Sequence, residues 1–149
     1  MQFDDLAALM ADLTCTLTKT CNEKENYFAA MFNLTPSEFK CLRLFTNKQK
    51  LSIKEISGAM NITPGRITHI LTSLEDKNFI KRKIDQTDKR NVLVFLTSKS
   101  EPFIKNLNDS HIQLHKDILE RIEPEKRGLV ISAMEDVIKA LRSWSDSLQ

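Results

Sequence analysis

Glycine is almost missing from this chain: three residues in 149, beside four prolines, three cysteines, one tryptophan and one tyrosine. So few glycines leave little room for the glycine-rich loops that cradle phosphates, and no P-loop is present. No apolar run is long enough to cross a bilayer, and the opening MQFDDLAALM lacks the basic start of a secretory signal. The expectation is a cytoplasmic chain, without a membrane partner, whose thiols stay reduced. The spacing of Cys15, Cys21 and Cys41 suits neither a zinc ribbon nor a redox Cys-x-x-Cys pair. No Ser/His/Asp trio or glycine-framed carboxylate pair occurs, so neither an enzyme nor a cofactor is expected. The net charge of +2 is too small to argue for a polyanionic partner by itself.

What is present reads as one globular domain, residues 1–149, mainly α-helical with a small β-hairpin. Hydrophobic content of 41% and charged content of 28% are ordinary for such a domain. Phe3, Leu6, Met10, Leu13 and Leu17 advance by three and four along one face, which predicts a helix over 3–31. LTPSEF opens a second helix with Thr35 as N-cap, Pro36 at the first position and Glu38 closing a capping box; its end is expected near Thr46. SIKE repeats the box and starts a short third helix with Ile53, Ile56 and Met60 inward. Asn61 and Ile62 make a turn, and Thr63-Pro64 starts a fourth helix with Ile67, Ile70, Leu71 and Leu74 inward. Asn78 stands where that helix must stop, in a conformation asparagine tolerates. Two strands, Phe79 to Asp85 and Val92 to Thr97, are joined by the polar tip QTDKRN. Ser100-Glu101-Pro102 begins a fifth helix, and Pro124 a sixth.

The charge is unevenly spread. Across 77–90, Lys77, Lys81, Arg82, Lys83, Lys89 and Arg90 face only Asp85 and Asp88, a local excess larger than that of the whole chain. The outer face of the fourth helix carries Thr63, Pro64, Gly65, Arg66, Thr68, His69, Thr72 and Ser73, short or donor-rich groups with no carboxylate before Glu75. A helix that enters a major groove needs that composition in its first turns, where bulk or negative charge would meet bases or phosphates. Arg66 is the expected base reader, its planar fork matching guanine O6 and N7, with Thr68 and His69 next. Ser52, which caps the third helix, joins them in the candidate set. Arg82 and Lys83 on the strand, and Asp88, Lys89 and Arg90 at the tip, complete the candidate DNA-binding set. Asp88 is close enough to pair with Arg90 and hold the tip, which could enter a minor groove. A polar helix face is, on its own, more often a solvated one. The capped helix upstream and the basic hairpin downstream favour double-stranded DNA.

Over Leu34 to Thr97 the chain resembles the winged helix of the multiple-antibiotic-resistance regulator (MarR) family. An Arg followed by an Asp-x-x-Asp-x-Arg run matches Arg82, Asp85, Asp88 and Arg90. Leu74-Glu75 matches the pair ending the recognition helix, and Leu96-Thr97 the strand-to-helix junction. Asn78 and Ser100 depart from it, standing where the family commonly has glycine. The resemblance implies a winged helix-turn-helix (34–97) flanked by dimerisation helices (1–31 and 100–149). It also implies a homodimer on a palindromic operator, repression, and release by a small aromatic or anionic effector. The residues independently suggest a dimer. Phe103, Leu107, Leu114 and Ile118 stripe the fifth helix, and Val130, Met134, Val137, Ile138 and Leu141 the sixth, more apolar surface than one central unit can cover.

Other members of the family sense oxidants or metals. Here Cys15 points away from its helix's apolar stripe and is the redox candidate, although Lys19 is the only cation nearby in sequence to lower its pKa. Cys41, beside Leu42 and Phe45, reads as a core residue. His111 and His115 are spaced i, i+4, a weak candidate for one metal ion and more simply a pair of interface histidines. From another functional class, a winged-helix protein–protein module without DNA binding would show no salt-sensitive affinity for duplex DNA.

Overall fold

The structure is a computed structural model describing all residues, Met1 to Gln149. Six helices and a three-stranded antiparallel sheet follow in the order α1 (Phe3–Met31), α2 (Pro36–Arg43), β1 (Lys50–Ser52), α3 (Ile53–Met60), α4 (Pro64–Asp76), β2 (Ile80–Ile84), β3 (Val92–Leu96), α5 (Ser100–Glu120) and α6 (Arg127–Asp146). The chain divides into two compact units, Met1–Asn108 and Asp109–Gln149.

In the first unit, local chemistry sets the helix ends. Both capping boxes form: Thr35 Oγ1 accepts the Glu38 N–H at 3.1 Å and Ser52 Oγ the Glu55 N–H at 3.0 Å, each glutamate reaching back to its cap's N–H. Asn33, Asn61 and Asn78 take left-handed φ of 57°, 53° and 65°, ending α1, α3 and α4 where no glycine is available. Between α3 and α4, the Asn61 and Ile62 N–H groups both donate to the Ser57 carbonyl, which fixes the turn.

The core gathers Phe39, Leu42 and Phe45 from α2 and its exit, Ile56 from α3, Ile67, Leu71 and Leu74 from α4, and Ile80 and Val94 from the sheet. Burying each such side chain contributes about 1.5–3 kcal/mol. Four further aromatics close it. Phe28 lies 5.1 Å from Phe32 and 5.2 Å from Phe39, and Phe103 lies 5.9 Å from Phe32 and 4.6 Å from Phe79, ring centre to ring centre. Phe103, with buried Ile104 and Leu107, therefore brings the first turns of α5 into the core of this unit. The apolar stripe expected to serve a partner is partly used at home.

The sheet runs β1-β3-β2. Strand β1 was not expected from sequence. It is only three residues, KLS, and exists because Lys50, Leu51 and Ser52 pair with Phe95, Val94 and Leu93. The hairpin pairs Ile80 with Leu96 through Ile84 with Val92, one residue shorter at most ends than expected. Two other boundaries are corrected. Helix α2 stops at Arg43, not near Thr46, because Leu44, Phe45 and Thr46 switch to tighter bonds three residues back. Pro124 opens a single 3-10 turn, and α6 starts only at Arg127.

In the second unit, the Arg127 guanidinium donates to the carbonyls of Leu119 and Ile122 at 3.1 Å and of Glu120 at 3.4 Å, satisfying the open end of α5. No residue of α6 is buried, and its apolar side chains, among them Leu129, Met134, Ile138, Leu141 and Trp144, stand exposed.

Candidate nucleic-acid interface

Helix α4 presents its first two turns to solvent. Thr63 caps it, accepting the Arg66 N–H at 3.4 Å, Pro64 takes the first position, and its first turn holds no acidic residue. Its buried side is Ile67, Leu71 and Leu74. Thr63, Pro64, Gly65, Arg66, Thr68, His69 and Thr72 are exposed, because a 3.6-residue period cannot bury both faces. The Thr68 hydroxyl donates to the Pro64 carbonyl and Thr72 to that of Thr68, both at 2.9 Å. With their hydroxyl protons engaged by the helix backbone, Thr68 and Thr72 have an acceptor oxygen and a methyl group left to offer a ligand. Arg66 borders a shallow groove of about 510 Å³ that runs along the turn past Ser57, Gly58 and Thr63. Ser52 is half-buried and its oxygen is engaged in the α3 cap.

Ser73 does not lie on the outer face. It is half-buried and donates to Glu38 Oε2 at 3.0 Å, a partner thirty-five residues away that periodicity cannot reveal.

Of the hairpin residues, Lys83, Lys89 and Arg90 are exposed, whereas the Arg82 side chain keeps only 24% of its surface. The Arg82 guanidinium grips Glu75, Nε to Oε2 and Nη2 to Oε1 at 3.2 Å each, and its backbone N–H adds a third bond to Oε2. The guanidinium's bonds hold the Glu75 carboxyl below the usual glutamate range, although its slight burial works the other way. The last turn of α4 and the first half of β2 are thereby clamped together. Lys83 arches over the Phe95 ring, 5.6 Å from its centre.

Two aspartates build the tip. Asp85 Oδ1 accepts from the Thr87 N–H and hydroxyl at 3.0 and 2.7 Å, bonds that hold its carboxyl below the usual aspartate range. Asp88 Oδ1 accepts from both the N–H and Nε of Arg90 at 3.1 Å. The Arg90 side chain is nevertheless 91% exposed, so its charge is oriented without being hidden.

The signal-sensing candidates lie elsewhere. Cys15 is exposed on α1 in a shallow groove with Thr18, Lys19, Asn22 and Glu23; Cys21 is half-buried. Cys41 is buried, and burial together with the nearby Glu38 charge pushes its thiol up to about 12. The rings of His111 and His115 meet edge to face at 4.6 Å, and His115 Nδ1 lies 2.8 Å from the His111 carbonyl. No group of three or more His, Cys, Asp or Glu is placed to hold a metal ion. No helix is long and apolar enough to cross a membrane.

A capped helix pair, a left-handed asparagine turn and a braced basic hairpin now stand together, and residues 34–92 match the model of the MarR family. That stretch is a MarR-family segment. The MarR-family segment thus covers α2 to the start of β3. The uncharacterized HTH-type transcriptional regulator YfiV of Bacillus subtilis is 27% identical over 112 residues, 74% of this chain and 69% of its own length. The repressor YetL of the same organism is 25% identical over 124 residues, 82% of this chain and 74% of that one. Among solved structures, the S. aureus MepR–DNA complex superposes with a TM-score of 0.71 at 16% identity, covering 89% of this chain and 97% of that chain. These relatives are named as transcriptional regulators, not as enzymes.

Proposed function

We propose that this chain is a MarR-type transcriptional regulator that reads a palindromic operator as a homodimer, one α4 in each of two successive major grooves and each hairpin tip in a flanking minor groove. The observation that carries the reading is the exposed, carboxylate-free start of α4 beside a tip whose arginine is held outward by Asp88. Arg66 reads a base edge, Gly65 and Thr63 let the helix approach the backbone, and Lys89 and Arg90 supply charge. Glu75 directs Arg82 to brace the hairpin, so its part in DNA binding is through the position of the tip. Two-fold symmetry would place the helices about 34 Å apart. The exposed apolar faces of α1 and α6 support pairing with a second copy. MepR, of the same fold, is known in complex with DNA.

The regulator works in the cytoplasm, as a repressor released by a small aromatic or anionic effector. Release needs only that the effector prefer dimers whose two α4 helices are wrongly spaced, because a ligand shifts populations by its differential affinity. Footprinting on DNA upstream of its own gene tests the reading. A protected, two-fold-symmetric stretch with half-sites one helical turn apart is expected. Affinity that does not fall with salt, or no protection at all, would leave a protein–protein module instead.

A further inference from the structure

Helix α2 has one carboxylate, and it is buried. The Glu38 side chain keeps 2% of its surface. A capping box does not require this: in the equivalent box on α3, Glu55 is exposed and bonds back to Ser52 alone. Glu38 makes the same local bond, Oε1 accepting the Thr35 N–H at 2.8 Å, and then reaches across to α4. Lys77 Nζ donates to Oε1 at 3.0 Å and Ser73 Oγ to Oε2 at 3.0 Å. The Lys77 ammonium also donates to the Asn33 carbonyl at 2.8 Å, in the left-handed turn between α1 and α2. No buried polar side-chain atom is left unpaired. Burying a carboxylate is costly unless such partners surround it, and they do here.

Ser73 and Lys77 are four residues apart and so share one side of α4. Holding both from α2 stops the helix from rolling about its own axis. With side chains ending about 5–6 Å from the axis, a roll of about 15° would carry a reading side chain roughly 1.5 Å sideways. That is enough to break a paired contact between a guanidinium and a guanine edge.

We propose that Glu38 is a positioning residue for operator reading. It sets the rotation of α4 through Ser73 and Lys77, and ties that rotation to the end of α1 through the Lys77–Asn33 bond. The role rests on the DNA-reading assignment above and adds to it a residue that never touches DNA. It also gives a route by which movement of α1 would alter reading, since the same ammonium holds both ends.

The test uses full-length protein with the footprinted operator and an unrelated duplex of equal length. Glu38→Gln and Ser73→Ala are each expected to lower operator affinity about tenfold. Affinity for the unrelated duplex and the slope of log affinity against log salt should stay at parental values, since no phosphate contact is removed. The double variant should lose little more than the worse single one, because both substitutions break one linkage. Lys77→Arg should keep discrimination that Lys77→Met loses. Ser73→Ala is mild enough to fold, and thermal melts confirm it. If the parent discriminates and the Glu38 and Ser73 variants discriminate equally well, the positioning role is overturned alone. If the parent binds no duplex, the DNA-reading assignment falls and this role with it.

Discussion

Gly65 has a negative φ, and a Cβ added there would meet nothing within 4 Å. Glycine in a helix costs about 0.5–1 kcal/mol relative to alanine, so nothing inside the free protein calls for it. Gly65→Ala should therefore raise stability by a few tenths of a kcal/mol up to that limit, read by urea unfolding. It should also weaken operator binding several-fold, because the added methyl meets the DNA backbone. A variant that is both steadier and a better binder would remove Gly65 from the interface. Beside it, Arg66→Ala should cost about 1–3 kcal/mol of operator affinity and relax preference at one base pair, seen by titrating single-base operator variants. The thiols differ as sharply. With its thiol pushed up to about 12, Cys41 stays protonated at pH 8, and its burial shields it. Exposed Cys15 should take up an alkylating reagent in the native state and Cys41 only after unfolding, as peptide mass mapping would show.

At the scale of elements, two ion pairs fix α4 from both sides, and they differ in environment. Glu75 keeps 39% of its side-chain surface, so solvent screens its pair with Arg82. Arg82→Met should cost no more than about 1 kcal/mol of global stability, yet speed amide exchange through β2 and the tip. Glu38 is different. Burial alone would raise its pKa, but the Thr35 N–H, Lys77 and Ser73 outweigh it and hold the carboxyl below the usual range. A carboxyl depressed on folding contributes stability that is fully present above its unfolded pKa, about 4.3 for glutamate, and is lost as pH falls through the lower folded value. The stability gap between the parent and Glu38→Gln should thus be widest near neutrality and close on acidification below about pH 4, in paired urea titrations.

For the whole molecule the question is what covers the apolar faces. Phe3, Leu6, Met10, Leu13 and Leu17 on α1 and Met134, Ile138 and Leu141 on α6 are largely exposed, a pattern that leads to association in water. Changing Leu13 and Leu17 together to Glu should give single chains in sedimentation and lower operator affinity by well over tenfold, since two linked half-sites bind far better than one. Arg66→Ala should leave association untouched. A Leu13/Leu17 variant that still pairs would place the partner surface elsewhere.

Much of this was already written in the chain. Thr35 with Glu38, Ser52 with Glu55, and asparagine at 61 and 78 announce helix starts and stops through bonds spanning three or four residues, so a one-dimensional reading finds them. The exposed polar face of α4 follows from a period, and the Asp88–Arg90 pair from two residues' separation. What stayed hidden depends on partners distant in sequence. Three-residue β1 is a strand only because β3 lies beside it, and Ser73 turns inward only because Glu38 waits on α2. Arg82 became a brace instead of a free cation when Glu75 met it across the hairpin's root, and Phe103 and Leu107 left the partner-facing stripe for the core. Local hydrogen bonding and periodicity need only neighbouring residues, and these the chain alone determines. The direction of a charged or apolar side chain depends on which distant group satisfies it, and that only the packed tertiary structure decides.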